Sequence, residues 1–342
     1  MSTINVAVVG LGFMGITHLK AYRQIPNARI AALCDASRLP VDGVLAAPGG
    51  NLGSDDSLTF DMTQVKATAS LDELLDDPTI DLIDLCVPTL AHPKLAIAAL
   101  RAGKHLICEK PLARTAAAAR EIEQAAATAK GFFMPAMCIR FWPEYAWLKQ
   151  AIDGFAYGRV LAARFRRVSE PPAWGREHFF DGAKSGGAIL DLHIHDVDFV
   201  QFCFGRPTAV FAQGFSQYSG EIDHVVAQYQ VAGGAAVSAE GGWVMGDGHG
   251  FEMAFTVVFE NATLDFNSTR GADALRLFEN GQTARTIAVA PGDGYLGELA
   301  YMIQCITEGR APTLVTARDG ASAVEICEAE GESIRTGRIV TV

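Results

Sequence analysis

Up to Met137 the apolar positions come in short runs, each followed by a stretch with helical periodicity. Ile4, Val6, Val8 and Val9 form the first run, and the residues from Phe13 to about Ile25 read as a helix. Ala28 to Leu33 is the next strand. Ile80 to Val87 reads as a buried strand closed by Pro88, and Thr89 to Ala102 as a helix ending at Gly103. His105 to Cys108, the Ala-rich helix Thr115 to Lys130, and the strand Phe132 to Met137 continue the rhythm. Leu71 to Leu75 is a short predicted helix, with Ser70 as its N-cap and Glu73 completing a capping box. Strands alternating with helices imply right-handed βαβ units and a parallel sheet covered on both faces. Leu39 to Thr63 breaks the pattern. It holds Pro40, Gly43, Pro48, Gly49, Gly50 and Gly53, and is expected to be a loop or insertion.

The rhythm then changes. Glu144 to Ile152 and Ile189 to Phe204 read as helices, but strands dominate. Val160 to Val168 alternates with arginines. His224 to Val231 and Ala235 to Trp243 flank Gly233-Gly234. Phe255 to Glu260 and Thr263 to Phe266 flank Asn261-Ala262, and Leu275 to Glu279 precedes Asn280-Gly281. This predicts an antiparallel sheet carrying one long helix, an α+β arrangement. Leu296 to Thr307 and Ala317 to Ile334 close the chain as helices.

Composition narrows the function classes. The 342 residues suit two domains, and 49% hydrophobic against 20% charged residues supplies a large core. A net charge of -11 argues against nucleic acid or an anionic membrane as partner. No apolar run approaches membrane-spanning length, and the N-terminus enters a strand without a signal-peptide pattern. Seven scattered cysteines with no C-x-x-C spacing suggest reduced thiols in a cytoplasmic protein.

The first strand runs into Gly10-x-Gly12-x-x-Gly15 and then a helix, the context a dinucleotide fingerprint requires. Gly10 permits the tight turn, Gly12 the close approach of a pyrophosphate, and Gly15 the packing of helix on strand. The helix N-terminus offers free N–H groups to the phosphates. Asp35 ends the second strand twenty positions after Gly15, where a ribose-binding carboxylate is expected. A plain capping role for Asp35 is the simpler alternative. The predicted domains are 1–137, a dinucleotide-binding domain, and 138–342, a substrate-binding and oligomerisation domain. The closing helices are expected to pack on the first.

Three constellations carry further chemistry. Cys108-Glu109-Lys110-Pro111 stands at the carboxyl end of a parallel strand, where ligands of such sheets bind. A lysine there suits a substrate oxygen, although a surface Glu-Lys pair fits equally well. Gly186-Gly187 opens a helix carrying Asp191, His193, His195, Asp196 and Asp198. On an α-helix Asp191 and His195 share a face, whereas His193 points elsewhere, which weakens any metal reading. The alternative is polar residues on exposed sides of a core helix. The third set is looser. Pro88, Thr89 and His92 follow a parallel strand, with Thr89 as N-cap and a solvated His92 as the alternative. Arg140-Phe141-Trp142-Pro143 falls at the expected domain join. Trp174 to Phe180, with Arg176 and His178, offers aromatic faces to a sugar or cyclitol, or to an oligomer contact.

These residues resemble the glucose-fructose oxidoreductase / inositol dehydrogenase / rhizopine-catabolism (Gfo/Idh/MocA) oxidoreductases nearly end to end. The matching positions are Gly10-x-Gly12-x-x-Gly15, Asp35, Pro88-x-x-x-His92, Glu109-Lys110-Pro111, Arg140-Phe-x-Pro143 and Gly186-Gly187-x-x-x-Asp191-x-x-x-His195. The resemblance implies a Rossmann domain with a doubly wound parallel sheet, followed by an α+β domain with a large, open-faced, mainly antiparallel sheet. That sheet often forms a dimer or tetramer interface. It also implies hydride transfer between NAD, or NADP, and a sugar, cyclitol or related polyol. Lys110, Asp191 and His195 match the catalytic trio. Cofactor contacts are expected from Gly10, Gly12, Phe13, Met14, Gly15, Asp35, Arg38, Pro88, Thr89, His92, Glu109, Lys110 and Arg140. Substrate contacts are expected from Lys110, Trp174, His178, Asp191, His193 and His195, and no metal is expected. In the implied roles, His195 is the base, Asp191 orients it or binds a neighbouring hydroxyl, and Lys110 favours alkoxide character. Two departures stand out, His193 where many members have Gly, and the Leu39 to Thr63 insertion. Two rival readings share the scaffold, an NAD-dependent glycosidase acting through transient sugar oxidation, and a nucleotide-sensing regulator. Retention of all three catalytic positions argues against the regulator.

Overall fold

The computed structural model describes residues 3–46 and 57–342. The chain divides into two compact units, Met1–Cys138 with Asp293–Ala321, and Ile139–Gly292 with Ser322–Val342.

The first unit is built on a six-stranded parallel sheet in the order Lys66–Thr68, Ala28–Cys34, Ile4–Val9, Leu82–Leu85, His105–Glu109, Phe133–Ala136. Strands buried on both faces need continuous apolar runs. Val6, Ala7, Val8, Leu82, Ile83, Leu106 and Ile107 are fully buried. The chain leaves Ile4–Val9 toward one side of the sheet and returns on the other, so this strand marks the switch point beside which ligands of such sheets bind. The helix Phe13–Tyr22 packs against Gly294–Glu308, a partner remote in sequence. Thr115 caps Ala116–Thr128, its hydroxyl accepting the Ala118 N–H.

Two local expectations change. The Ser70/Glu73 capping box does not form. Leu71 is the N-cap of Asp72–Leu75 with no side-chain bond, the Ser70 N–H donates to the Thr68 hydroxyl, and Glu73 pairs with Lys66. Within the insertion, Val44–Leu45 pairs with Leu58–Thr59 as a small antiparallel ribbon, while 47–56 lie outside the described residues.

The second unit carries a nine-stranded sheet. Its order is Arg285–Thr286, Leu275–Glu279, Ala262–Asn267, Phe251–Phe259, Val160–Ser169, Ala236–Gly242, His224–Gln230, Ala209–Phe215, Val340–Thr341. All described pairs are antiparallel except Val160–Ser169 with Ala236–Gly242. The alternation has a clear sense. Val225, Ala227 and Tyr229 are buried, while Val226, Gln228 and Gln230 are exposed. The helix Ile194–Phe204 lies on the buried face, against Val160–Ser169 and Ala236–Gly242. Tyr145 meets Phe199, Phe255 and Phe266 edge-on at 4.9, 5.1 and 5.6 Å between centroids, which closes the core. Three strands that the hydrophobic pattern did not delimit, Ala209–Phe215, Arg285–Thr286 and Val340–Thr341, complete this sheet.

Candidate active site

In the first unit the glycine turn has the form its sequence demands. Gly10 has φ +93, and a Cβ there would stand 2.4 Å from the Cys86 carbonyl oxygen. A Cβ on Gly15 would fall 1.9 Å from the Gly10 carbonyl. A Cβ on Gly12 would meet nothing within 4 Å, so that position opens onto free space at the N-terminus of Phe13–Tyr22. Such a bare cradle fits a pyrophosphate. Phe13 and Met14 are half-buried on the first turn. Asp35 is tied to the same turn: its Oδ2 accepts the Leu11 N–H at 2.7 Å, and its Oδ1 accepts the Ser37 and Arg38 N–H groups at 2.8 and 2.9 Å. Partial burial works to raise its pKa, but these bonds outweigh it and hold the group below the usual value, so it is ionised at neutral pH. The Arg38 guanidinium donates instead to the Ala46 carbonyl, at 2.9 Å.

The strand-end loops are fixed by buried side chains. His92 is 1% exposed, with its ring nitrogens 2.9 Å from the Pro111 carbonyl and 2.8 Å from the Val87 carbonyl. Burial lowers its pKa. His92, expected at the cofactor with a solvated ring as the alternative, is thus buried between the Pro88 loop and the Lys110 loop. Thr89 is buried and Pro88 is exposed in this loop. Glu109, expected at the cofactor, is also turned inward. Its Oε2 accepts the Lys110 N–H at 3.0 Å, and its Oε1 lies 3.2 Å from His18 Nε2. Lys110 itself is half-buried.

The pattern of residue types did not single out His18, Asp84 or Glu298. All three are fully buried, with His18 Nδ1 2.8 Å from Asp84 and Nε2 3.8 Å from Glu298. One sequence signal was present, an aspartate inside the otherwise apolar strand Leu82–Leu85.

In the second unit the helix bearing the acids and histidines begins with a π turn over Ile189–His193 and becomes α-helical over Ile194–Phe204. The expected plain α-helical face for Asp191 and His195 is thus replaced by a wider turn, a form that recurs at functional sites. Buried partners sort the polar residues. Asp196 takes a two-pronged bond from Arg167 at 2.8 and 3.2 Å, and Asp198 takes one from Arg140 at 2.7 and 2.6 Å. The Arg140 guanidinium also stacks over Phe202, at 4.5 Å. Arg140, expected as a cofactor contact, thus anchors this helix through Asp198. His193, expected at the substrate, is fully buried, with Nε2 3.2 Å from Glu330 and 3.3 Å from the Tyr229 hydroxyl. Its bulk is accommodated by Gly241, where a Cβ would stand 2.7 Å from the His193 ring. Asp191 and His195 are left half-buried.

The aromatic loop forms a cluster in the same unit. Phe179 lies edge-on to Trp174, His178 and Trp243 at 4.9, 5.1 and 5.8 Å. Trp174 remains 41% exposed. Trp243 donates to Asp223, whose carboxylate also collects the N–H groups of Gln217, Tyr218 and Ser219.

Comparison with known proteins places this geometry. Residues 4–137 match the model of the Gfo/Idh/MocA oxidoreductase family with an NAD-binding Rossmann fold, and residues 145–265 match the Gfo/Idh/MocA C-terminal domain. A levoglucosan dehydrogenase of Pseudarthrobacter phenanthrenivorans is 32% identical over 219 residues, 62% of this chain and 54% of that one. The scyllo-inositol 2-dehydrogenase (NAD(+)) of Bacillus subtilis is 26% identical over 98% of this chain and 95% of its own. Among solved structures, a levoglucosan dehydrogenase in apo form superposes with TM-score 0.85 at 24% identity, covering 100% of this chain and 99% of that one. At that identity it shows the fold.

Proposed function

The chain belongs to the Gfo/Idh/MocA oxidoreductases, and on that premise we propose that it interconverts a secondary hydroxyl and ketone of a sugar, cyclitol or related polyol, with NAD as cofactor. One observation carries the residue assignment. On the helix Ile189–Phe204, Asp191 and His195 are half-buried and hold the Asp-x-x-x-His spacing of the family motif, whereas His193, Asp196 and Asp198 are buried, which supports Asp191 and His195 for chemistry. The names of the relatives, levoglucosan and inositol dehydrogenases, support the substrate class.

Gly10, Gly12, Gly15 and Asp35 would hold the cofactor, with Phe13, Met14, Pro88 and Thr89 beside it. NAD, when bound, supplies the hydride chemistry. His195 removes the hydroxyl proton in the oxidation direction, and Asp191 orients its imidazole or binds a neighbouring hydroxyl. The Lys110 ammonium donates to the reacting oxygen and stabilises negative charge there. Trp174 and His178 offer faces to the ring of the substrate. A panel of levoglucosan, inositols and aldoses with NAD or NADP, followed by reduced-nicotinamide absorbance, tests the class. No turnover of any member removes the reading.

Cofactor preference is expected to favour NAD by about tenfold or more in kcat/KM, because the ionised Asp35 repels a 2′-phosphate while Arg38 is drawn to Ala46. Asp35→Ser is expected to narrow the gap. A wild-type preference for NADP would reverse this assignment.

We also infer a homodimer or homotetramer in the cytoplasm. Among the described residues no helix is long and apolar enough to cross a membrane. The sheet face away from Ile194–Phe204 exposes Phe215, Val226, Val258 and Phe278, an apolar set that a second copy would cover. Light scattering is expected to give two or four times the chain mass, and Val226→Glu to lower it. A monomer at micromolar concentration would contradict the inference.

A further inference from the structure

We propose that His18, set between Asp84 and Glu109, is a positioning residue for Lys110, acting through the Glu109 carboxylate that receives the Lys110 backbone N–H. The proposal rests on the reading of Lys110 given above. It adds the buried group behind that lysine.

The geometry is a chain of contacts inside the first unit. His18 sits on Phe13–Tyr22, the helix that opens at the glycine turn. Its Nδ1 donates to Asp84 Oδ2 at 2.8 Å, and its Nε2 lies at ion-pair distance from Glu109 Oε1, 3.2 Å, without a hydrogen bond. The other Glu109 oxygen takes the Lys110 N–H at 3.0 Å. The cofactor-binding helix and the lysine-bearing loop are thereby one electrostatic block. A cation between two buried carboxylates offsets their desolvation, and without it both charges would be buried unpaired.

Other groups face the same ring. Cys86 Sγ is 3.4 Å from Nδ1, Glu298 comes from Gly294–Glu308, the Tyr295 ring is 6.4 Å away, and Tyr22 lies on the same helix. Burial opposes the charge on His18, but Asp84 and Cys86 more than offset it and raise its pKa well above the ordinary value. Glu298 is raised too, first by burial and then by Glu109 and Asp84. Neither of its oxygens has a hydrogen-bond partner, which suits a protonated acid better than a carboxylate. Both shifts mean that the folded chain binds protons more tightly than the unfolded one. The His18 contribution to stability is complete below its unfolded value of about 6.5 and is lost as pH rises through the raised folded value.

Two measurements on His18→Gln test the proposal. The first needs no substrate. Hydrogen exchange at the Lys110 amide is expected to quicken by about tenfold, while that at Ile107, in the adjoining strand, stays unchanged. The second is a double-mutant cycle, run with whichever of levoglucosan, myo-inositol and scyllo-inositol the wild type oxidises best. His18→Gln is expected to lower kcat by about 10–100-fold with little change in KM, but by less than about threefold in a Lys110→Met background. The fall in Tm from about pH 6 to 9 is expected to flatten in the variant. Unchanged exchange at Lys110, or equal losses in the two backgrounds, overturns the proposal. A divalent ion bound one per chain overturns it as well, since a metal would then replace the proton on His18. Lys110→Met with undiminished kcat defeats the reading of Lys110 while leaving the exchange result standing. Should His18→Gln not fold, Glu109→Gln, which weakens the next link, is carried through the same measurements with the same expectations.

Discussion

His195→Ala is expected to lower the oxidation rate by about 10²–10⁴-fold and to leave NAD affinity nearly intact. The separation follows from position. His195 lies on Ile194–Phe204 of the second unit, whereas the glycine turn and Asp35 belong to the first. The wild-type rate is expected to fall on the acid side as an imidazole base becomes protonated, and that limb should disappear in the variant. His193→Ala supplies the contrast. Its ring is sealed against Glu330, Tyr229 and Gly241, so its loss strands part of a buried network and is expected to cost about 1–3 kcal/mol of stability while sparing the acid limb. pH–rate profiles of both variants decide the matter. If His193→Ala removes the limb and His195→Ala keeps it, the base has been assigned to the wrong ring.

Lys110→Met is expected to reduce kcat/KM by about 10²–10³-fold, with the fold intact. Methionine keeps the length and much of the apolar stem but cannot donate to a reacting oxygen. The position of residue 110 is set by its backbone, through Glu109 and through the carbonyl of Pro111 that faces His92, so the substitution removes the ammonium without releasing the loop. Lys110→Arg is expected to restore only part of the rate, since a planar guanidinium does not reproduce a compact ammonium. Circular dichroism confirms folding, and NADH titration separates a loss of chemistry from a loss of binding. Activity within threefold of wild type for Lys110→Met would remove the lysine from the mechanism.

The alternation of apolar runs with helical stretches marked five of the six parallel strands of the first unit, because strands buried on two faces are mostly apolar, whereas the edge strand Lys66–Thr68, exposed at two of its three residues, left no such run. The glycine fingerprint was equally legible. Gly10 is required by the positive φ of the turn and Gly15 by the Gly10 carbonyl beside it, and Asp35 is bonded back to that turn at Leu11. Lys110, Asp191 and His195 were legible as residue types at characteristic spacings. What each polar side chain does was another matter. His92, Glu109, Arg140 and His193 were all candidates for ligand contact, and each has a buried partner that the fold supplies, from Val87, five residues from His92, to Glu330, 137 residues from His193. Burial of a polar group is tolerable only where such a partner waits. Whether one waits is settled by which strand ends and helices the fold brings together. Periodicity carries information about the face a residue occupies, since that depends on neighbours three or four positions away. The clustering of His18 with Asp84, Glu109 and Glu298 depends on atoms that only the tertiary structure brings within about 4 Å.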